Sequence, residues 1–168
     1  MGDTQIRAAR PDDLDGLVRL CAAHAEYEKA SYEPDGISSR LKQLLFGETP
    51  SLFCVVAQRG SKLIGYATWS KEVSTWKAAF YVHLDCLYLD PEVRSHGIGK
   101  HLVAHVVRDA LSFDCMEVQW QTPTFNTRAM HFYDRLGASR KEKVRFFLDE
   151  TTMKDLASLD AGHIDISR

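Results

Sequence analysis

The stretch that decides the fold is Asp85–Leu102, with the sequence DCLYLDPEVRSHGIGKHL. An apolar segment, predicted to be a strand, passes through a short polar loop into a helix that begins at two glycines. Gly97 and Gly99 lack a Cβ atom, so the loop can curl closely and direct several backbone N–H groups at one point. The helix predicted over 98–111 adds the positive end of its dipole. The segment therefore predicts an anion-binding loop, and phosphate is the usual ligand of such loops.

Two common phosphate-binding loops do not match this segment. It lacks the G-x-x-x-x-G-K-[ST] order of a nucleotide P-loop and the third glycine of the dinucleotide fingerprint. What remains is Arg94-x-x-Gly97-x-Gly99 after a strand. Two glycines at this spacing also occur in ordinary turns, so the interpretation needs support from the rest of the chain.

Length and composition favour one α/β domain over 1–168, with a core of about 4–150 and a short C-terminal tail, 151–168. The chain is 45% hydrophobic and 26% charged, and its formal net charge of -2 gives no electrostatic argument for nucleic acid or an anionic membrane. Four dispersed cysteines, no basic-then-apolar N-terminal segment and no run of about 18 apolar residues predict a cytoplasmic protein without a membrane partner.

The remaining hydrophobic patterns predict strands alternating with helices. Strands are predicted over 4–9, 51–58, 63–70, 76–89, 116–121 and 144–148, and helices over about 14–30, 37–46, 98–111, 127–136 and 151–159. A strand-helix-strand crossover makes the strands before and after the anion loop parallel, with the loop at the carboxyl end of the first. Asp85 is a carboxylate within the apolar run of that strand, which is unusual.

A second motif supports the anion loop: Asn126-x-x-Ala129-x-x-Phe132-Tyr133-x-x-Leu136-Gly137-Ala138, in which Asn126 is a good helix N-cap. With Arg94-x-x-Gly97-x-Gly99, it resembles the two signature segments of the GCN5-related N-acetyltransferase (GNAT) superfamily. The resemblance covers about 6–149 and looks closest to the spermidine/spermine and thialysine acetyltransferase group. It implies a single-domain α/β fold with a mixed, mostly antiparallel central sheet, splayed between two parallel strands, and helices on both faces.

The resemblance also implies acetyl-CoA as the co-substrate and no metal. The residues that it implies for cofactor binding are Leu87, Tyr88, Leu89, Arg94, Ser95, His96, Gly97, Ile98, Gly99, Lys100, Asn126 and Arg135. His101 and His105 lie four residues apart on one helix, but no convincing third ligand is nearby, so a metal site is not predicted.

Acetyl transfer needs a neutral amine, donors for a developing oxyanion and a proton for the departing thiolate. The resemblance implies Tyr133 as the general acid and Asp85 as the group that helps take the amine proton through water. It implies Tyr27, Glu28, Asp85 and Glu142 around a small cationic amine. The ordinary alternatives to these roles are that Tyr133 is simply a buried aromatic on a helix face and that Glu28 belongs to a solvated helix end.

Three departures from this group leave the acceptor open between a polyamine, a diamine and a lysine-like amino acid. Cys86 stands where the group has a second acidic residue, Val144 replaces a tryptophan, and the loop 139–143 is shorter. A thiol could relay the acetyl group, but an apolar strand raises a thiol pKa, so we expect direct attack in a ternary complex.

Two other functions remain open: a non-catalytic acyl-CoA-binding regulatory module, and an acetyltransferase for a protein N-terminus or lysine. Tyr133 and Asp85 argue against the first, because a binding module needs neither an acid nor a base. The resemblance further implies a homodimer, with the region after Val144 contributing to contacts between subunits.

Overall fold

The computed structural model describes residues 3–158, in two compact units, Met1–Leu136 and Gly137–Arg168. The strands are β1 (Thr4–Ala8), β2 (Phe53–Arg59), β3 (Lys62–Ser74), β4 (Ala79–Leu89) and β5 (Val118–Gln119). The helices are α1 (Leu14–Glu28), α2 (Ile37–Phe46), α3 (Ile98–Ser112), α4 (Thr127–Arg135) and, in the second unit, α5 (Glu150–Ala157).

The five strands form one sheet in the order β1-β2-β3-β4-β5. Neighbouring strands are antiparallel from β1 to β4, because short connections join most of them, whereas β5 pairs parallel to β4 after the crossover through α3. This arrangement confirms the predicted fold class, a mixed and mostly antiparallel sheet.

Apolar side chains of the sheet form a core on each face. On β2, Val55 and Ala57 belong to the cluster that contains the apolar stripe of α3, while Cys54 and Val56 belong to the cluster beneath α1 and α2. This alternation follows from the two-residue period of a strand, and it explains why β2 is apolar on both faces. Helices therefore cover both faces of the sheet, as predicted.

Strand β4 contains a β-bulge at Asp85. The residues on either side, Leu84 and Cys86, pair with the adjacent residues Trp69 and Thr68 of β3, so Asp85 has no partner in this ladder. A bulge adds one residue to a strand and redirects the side chains that follow. Asp85 is exposed, which accommodates a carboxylate in an otherwise apolar strand.

The bulge changes which positions of β4 face α3. Leu84 packs on the α3 side before the bulge, and Leu87 packs on that same side after it, although residues three apart in a regular strand face opposite sides. Tyr88 correspondingly lies in the cluster beneath α1. The part of β4 that follows Asp85 is therefore shifted by one residue relative to the part before it.

The element bounds agree with the sequence patterns where local signals are strong, since α2 and the start of α3 lie where they are predicted. The predicted strand over 144–148 is wrong: those residues form no strand, and Val144 and Phe146 are 79% and 88% exposed. A strand requires a hydrogen-bonded neighbour, which an apolar pattern alone does not provide. β5 is shorter than its predicted range, 116–121.

The sequence predicts Thr151 or Thr152 as the cap of the C-terminal helix, which is wrong, because the helix already begins at Glu150. Its N-cap is Asp149, whose Oδ1 accepts a hydrogen bond from the Thr152 N–H at 2.8 Å. Residue 159, the predicted end of this helix, and the rest of the predicted tail lie outside the described residues. Across residues 3–158, no helix has both the length and the apolar character that a membrane crossing requires.

Candidate active site

The loop between β4 and α3 needs its two glycines for different reasons. Gly97 has φ +80°, and a Cβ there would meet nothing within 4 Å, so the backbone conformation requires glycine. At Gly99 a Cβ would lie 3.3 Å from the Phe132 ring, so this glycine permits α3 and α4 to approach closely. Ser95 also adopts a left-handed conformation, with φ +70°. The loop is therefore tightly curled.

The start of α3 has the donors that a pyrophosphate requires. The first N–H groups of a helix have no partner within it, and the helix dipole adds positive charge there. Gly97, the N-cap, has no side chain that could satisfy them. Arg128, at the start of α4, donates a hydrogen bond from Nη2 to Ser95 Oγ at 3.1 Å and brings a further positive charge to the loop. The loop residues thus fit the pyrophosphate of coenzyme A.

Strand β4 is open beside this loop. β5 pairs with β4 only at Val82 and His83, so after the bulge β4 has a described strand neighbour on the β3 side alone. The backbone of Leu87 and Tyr88 lies in this part of the strand. The splayed sheet places an edge of strand backbone next to the anion loop, as a bound pantetheine arm would require.

Arg94 connects the loop to the end of α1. Its Nε donates to the Leu89 carbonyl oxygen at 2.9 Å, and its guanidinium lies over the rings of Tyr27, at 4.5 Å, and Tyr88, at 5.4 Å. These contacts hold the side chain against aromatic faces. Arg94 therefore positions Tyr27, a predicted substrate-binding residue, beside the predicted cofactor loop.

Asn126 joins α1 to α4. Its side-chain oxygen accepts the Ala129 N–H at 3.2 Å, as expected for the N-cap of α4, and the Tyr27 hydroxyl donates to the same oxygen at 3.3 Å. Asn126 is only 8% exposed, so a polar side chain at this position needs such partners.

Tyr133, on α4, contributes a half-buried hydroxyl to the same site. Its ring packs against Trp120, with centroids 5.1 Å apart, and against Phe132. Burial raises the pKa of Tyr133 to about 12, and the nearby Glu28 carboxylate and Cys86 add to this effect. The hydroxyl is therefore protonated at neutral pH and can donate a proton.

The Cys86 thiol is next to the exposed Asp85. Its Sγ donates to Asp85 Oδ2 at 3.5 Å, and burial, assisted by the Asp85 charge, raises the pKa of the thiol to about 12. A thiol with so high a pKa holds almost no thiolate at neutral pH. This agrees with the inert side chain that the apolar strand predicts.

His24 is a residue of this site that the sequence patterns do not single out. Its Nδ1 lies 3.1 Å from the Tyr66 hydroxyl and its Nε2 lies 3.5 Å from Glu28 Oε1. The four-residue spacing of His24 and Glu28 on α1 is the signal that could have identified the pair.

The predicted site residues thus fall into two groups. Residues from the end of α1, the bulge of β4, the anion loop and α4 all belong to the unit Met1–Leu136, among them Tyr27, Glu28, Asp85 and Tyr133. Arg135 is exposed near the end of α4. Glu142 lies in the unit Gly137–Arg168, so its place at the site stays a prediction. The described residues include no group of three or more side chains that could hold a metal ion.

This fold and site define an acetyltransferase. Residues 17–138 match the Acetyltransferase (GNAT) family, and the chain belongs to that family as an N-acetyltransferase. Among its relatives is the thialysine N-epsilon-acetyltransferase of Bos taurus, 34% identical over 82% of this chain and 85% of the relative. The thialysine N-epsilon-acetyltransferase of Mus musculus is 32% identical over the same shares. A D-amino-acid N-acetyltransferase of Saccharomyces cerevisiae is 22% identical over 84% of this chain and 88% of the relative.

Solved structures share the fold. The aminoglycoside N-acetyltransferase AAC(6')-Iy in complex with CoA aligns with a TM-score of 0.75 and 21% identity over 89% of this chain and 97% of that chain. An integron cassette protein of V. cholerae aligns with a TM-score of 0.73 and 22% identity over 92% of this chain and 98% of that chain. At these identities the likeness concerns the fold.

Proposed function

We propose that the protein transfers an acetyl group from acetyl-CoA to the primary amine of a small cationic substrate: a polyamine, a diamine or a lysine-like amino acid. The observation that carries this proposal is the half-buried Tyr133 hydroxyl, whose pKa is raised to about 12 with a contribution from the nearby Glu28 carboxylate, in a sheet whose strand β4 is open after the bulge. The thialysine acetyltransferase relatives support a substrate with a lysine-like side chain.

Acetyl-CoA supplies the activated acyl group as a thioester. We propose that the loop from Ser95 to Lys100 binds its pyrophosphate through backbone N–H groups at the start of α3. The open backbone of β4 at Leu87 and Tyr88 binds the pantetheine arm, with Asn126 on its other side. Arg135 offers a positive charge to the cofactor from the end of α4.

Two side chains carry the proton transfers in this proposal. Tyr133 protonates the departing thiolate, and its raised pKa keeps the proton on the hydroxyl until that step. Asp85, exposed on the bulge, accepts the amine proton through water. Glu28 supplies a negative charge for the substrate ammonium, and Tyr27 forms an aromatic wall beside it.

Direct attack of the amine on the thioester follows from the state of Cys86, because a protonated thiol is a poor relay nucleophile. We expect Cys86→Ala to keep turnover within about tenfold of the wild type, since only packing is lost. Steady-state kinetics would check this, with Cys115→Ala, which removes a buried thiol remote in sequence, as the control. Loss of turnover in Cys86→Ala alone, with acetyl-CoA binding intact, would contradict direct attack.

We also propose that the protein is a cytoplasmic homodimer. The second unit exposes several large apolar side chains, including Phe146 and Phe147 at 88% and 78%, and such a group is typical of an interaction surface. The four free cysteines of the protein support a reducing compartment.

The test of the proposed activity is the release of CoA from acetyl-CoA in the presence of a panel of acceptors. The panel contains spermidine, short diamines, thialysine, lysine and aminoglycosides, with lysine-containing peptides and free peptide N-termini as a separate arm. Turnover on the small amines is expected, with a higher KM for the amine in Glu28→Gln and an unchanged KM for acetyl-CoA. Turnover on peptides alone would replace this proposal with protein acetylation.

A further inference from the structure

A chain of three polar side chains runs from the protein interior to the amine side of the site. The Tyr66 hydroxyl lies 3.1 Å from His24 Nδ1, and His24 Nε2 lies 3.5 Å from Glu28 Oε1. Exposure increases along it, from 1% for Tyr66 to 12% for the His24 side chain and 31% for that of Glu28. Both nitrogens of the imidazole are therefore engaged, one by a buried group and one by a solvent-accessible carboxylate.

The two partners determine the tautomer of a neutral His24. A carboxylate only accepts hydrogen bonds, so Nε2 must carry the proton that is shared with Glu28. Nδ1 is then an acceptor, and the Tyr66 hydroxyl is its donor. Burial raises the pKa of Tyr66 far above its ordinary value, so this hydroxyl keeps its proton. With a neutral imidazole, each of the two hydrogen bonds has one donor and one acceptor only if Tyr66 donates to His24 and His24 donates to Glu28.

The groups around His24 favour a neutral imidazole. Its ring stacks on Tyr88, with centroids 5.1 Å apart and planes 29° apart. Burial lowers the pKa of His24, Glu28 and then Asp85 oppose this effect, and the Arg94 cation adds to it. The titratable and charged groups that face His24 are thus Glu28 on its own helix, Tyr66 from β3, Tyr88 and Asp85 from β4, and Arg94 from the anion loop.

We propose that His24 is a positioning residue that orients Glu28 for the substrate ammonium and, by taking up a proton, switches that anchor off at low pH. The proposal rests on the proposed function. A neutral His24 donates a hydrogen bond from Nε2–H to Glu28, so the carboxylate stays anionic and is held in place. When a solvent proton adds to Nδ1, the Tyr66 hydroxyl must turn to accept, and the resulting imidazolium neutralises Glu28. A protonated His24 and the substrate cation then compete for one carboxylate.

The proposal predicts a KM for the amine that is constant at neutral pH and rises below it. The folded-state pKa of His24 is lowered, so the rise begins below the ordinary value of about 6.5. In His24→Gln the part of the low-pH rise in the KM for the amine that His24 causes disappears. The KM for the amine at neutral pH increases roughly 3- to 10-fold in this variant, the range for the loss of one ordinary hydrogen bond. kcat at saturating amine stays close to that of the wild type, because His24 does not touch the reacting atoms.

The experiment measures the KM for spermidine and for acetyl-CoA from about pH 5 to about pH 8 in the wild type, His24→Gln and Tyr66→Phe. The matched control is His131→Gln, an exposed histidine on α4. Dividing each variant's values by those of the wild type removes the titration of spermidine itself. Tyr66→Phe removes the hydrogen bond that favours neutral His24, so its low-pH rise should move to higher pH, an effect that a loss of stability alone would not cause.

A rise in the KM at low pH that is the same in His24→Gln and the wild type would overturn the proposal. The pairing can also be measured without turnover, from the imidazole NMR titration of His24 in the wild type and Glu28→Gln. The pKa of His24 should fall when the carboxylate is removed, and an unchanged pKa would overturn the proposal even if no amine were acetylated. Absence of turnover on every amine, with that fall present, would instead refute the proposed substrate class.

Discussion

Tyr133 and Asp85 illustrate how position decides the chemistry of a single side chain. The hydroxyl of Tyr133 keeps its proton because it is half-buried and near a carboxylate, which both disfavour a phenolate. Asp85 is exposed because the bulge takes it out of the strand ladder. An acid and a base with such different surroundings can act in the same reaction at the same pH.

Replacing Tyr133 with phenylalanine should lower turnover by about 10²- to 10⁴-fold, the usual effect of losing a general acid. The ring still packs against Trp120, so the KM for acetyl-CoA should change little. Because the pKa of Tyr133 is raised to about 12, the wild type keeps this donor protonated throughout the neutral range and should show no decline from its loss there. Steady-state kinetics across pH would check both points, and near-wild-type turnover in Tyr133→Phe would assign the acid to another group.

Replacing Asp85 with asparagine should produce a different pH profile. A primary amine is almost fully protonated well below its pKa of about 10, so the base matters most at low pH and less as the neutral amine becomes available. The defect in kcat/KM should therefore be largest at the acidic end of the profile and shrink towards alkaline pH. A defect of equal size at every pH would reduce Asp85 to a positioning carboxylate.

Motifs in the sequence predict Tyr133, Asp85 and Glu28 because each lies in a short recognisable segment. His24 is different, since its role depends on Tyr66 and Tyr88, which are distant in the sequence and meet it only in the folded sheet. A histidine four residues before a glutamate is common on helix surfaces, and the spacing alone does not reveal a buried hydroxyl behind the ring.

At the scale of an element, the loop before α3 combines a conformational glycine with a packing glycine. Gly97 provides the left-handed residue that ends the loop, and Gly99 permits contact with α4. The start of α3 is consequently held against both the open edge of β4 and the helix that carries Tyr133.

The conformational role of Gly97 can be separated from a general loss of stability. Gly97→Ala should destabilise the protein by about 1–2 kcal/mol, because φ +80° is unfavourable for alanine, and should raise the KM for acetyl-CoA several-fold as the loop relaxes. Gly60→Ala is the matched control, since Gly60 also has a positive φ, +58°, and open space around its Cβ position, but lies in the turn between β2 and β3.

Thermal unfolding and acetyl-CoA kinetics of the two variants would decide the matter. Both should lower Tm by similar amounts, and only Gly97→Ala should change the KM for acetyl-CoA. An equal KM effect in both variants would mean that the loop conformation is not specific to cofactor binding.

Elements whose signals are local could be predicted well from the sequence. Asn126 and Gly97 mark the starts of α4 and α3, and each does so through the backbone of a few neighbouring residues. The strand over 144–148 could not be predicted reliably, because its apolar residues specify a strand only if another strand edge pairs with them. The register shift at Asp85 has the same origin, since it is defined by β3.

At the scale of the whole molecule, the second unit exposes several large apolar side chains. Val144, Phe146 and Phe147 are each more than three-quarters exposed. Exposed aromatic residues in a short segment are costly in water and favour burial against another surface. This is the physical basis for expecting two copies to associate through the region after Val144.

Substituting serine for Phe146 should weaken the proposed dimer. Light scattering at micromolar concentration should give the mass of two chains for the wild type and a lower mass for Phe146→Ser, because apolar contact area is lost. Trp76→Ser is the control, as Trp76 is 99% exposed but lies between β3 and β4 in the other unit. A wild-type mass of one chain, 19.0 kDa, would contradict the homodimer.

The extra residue in β4 could be removed without reversing the strand. Without Asp85, Leu84 and Cys86 would follow one another in a regular ladder against Trp69 and Thr68, and every later side chain would keep its present face. Tyr88 would stay beside His24, and only the exposed carboxylate would be lost. In a mutational library, deletion of codon 85 should therefore give folded protein with the same loss of activity as substitutions of Asp85.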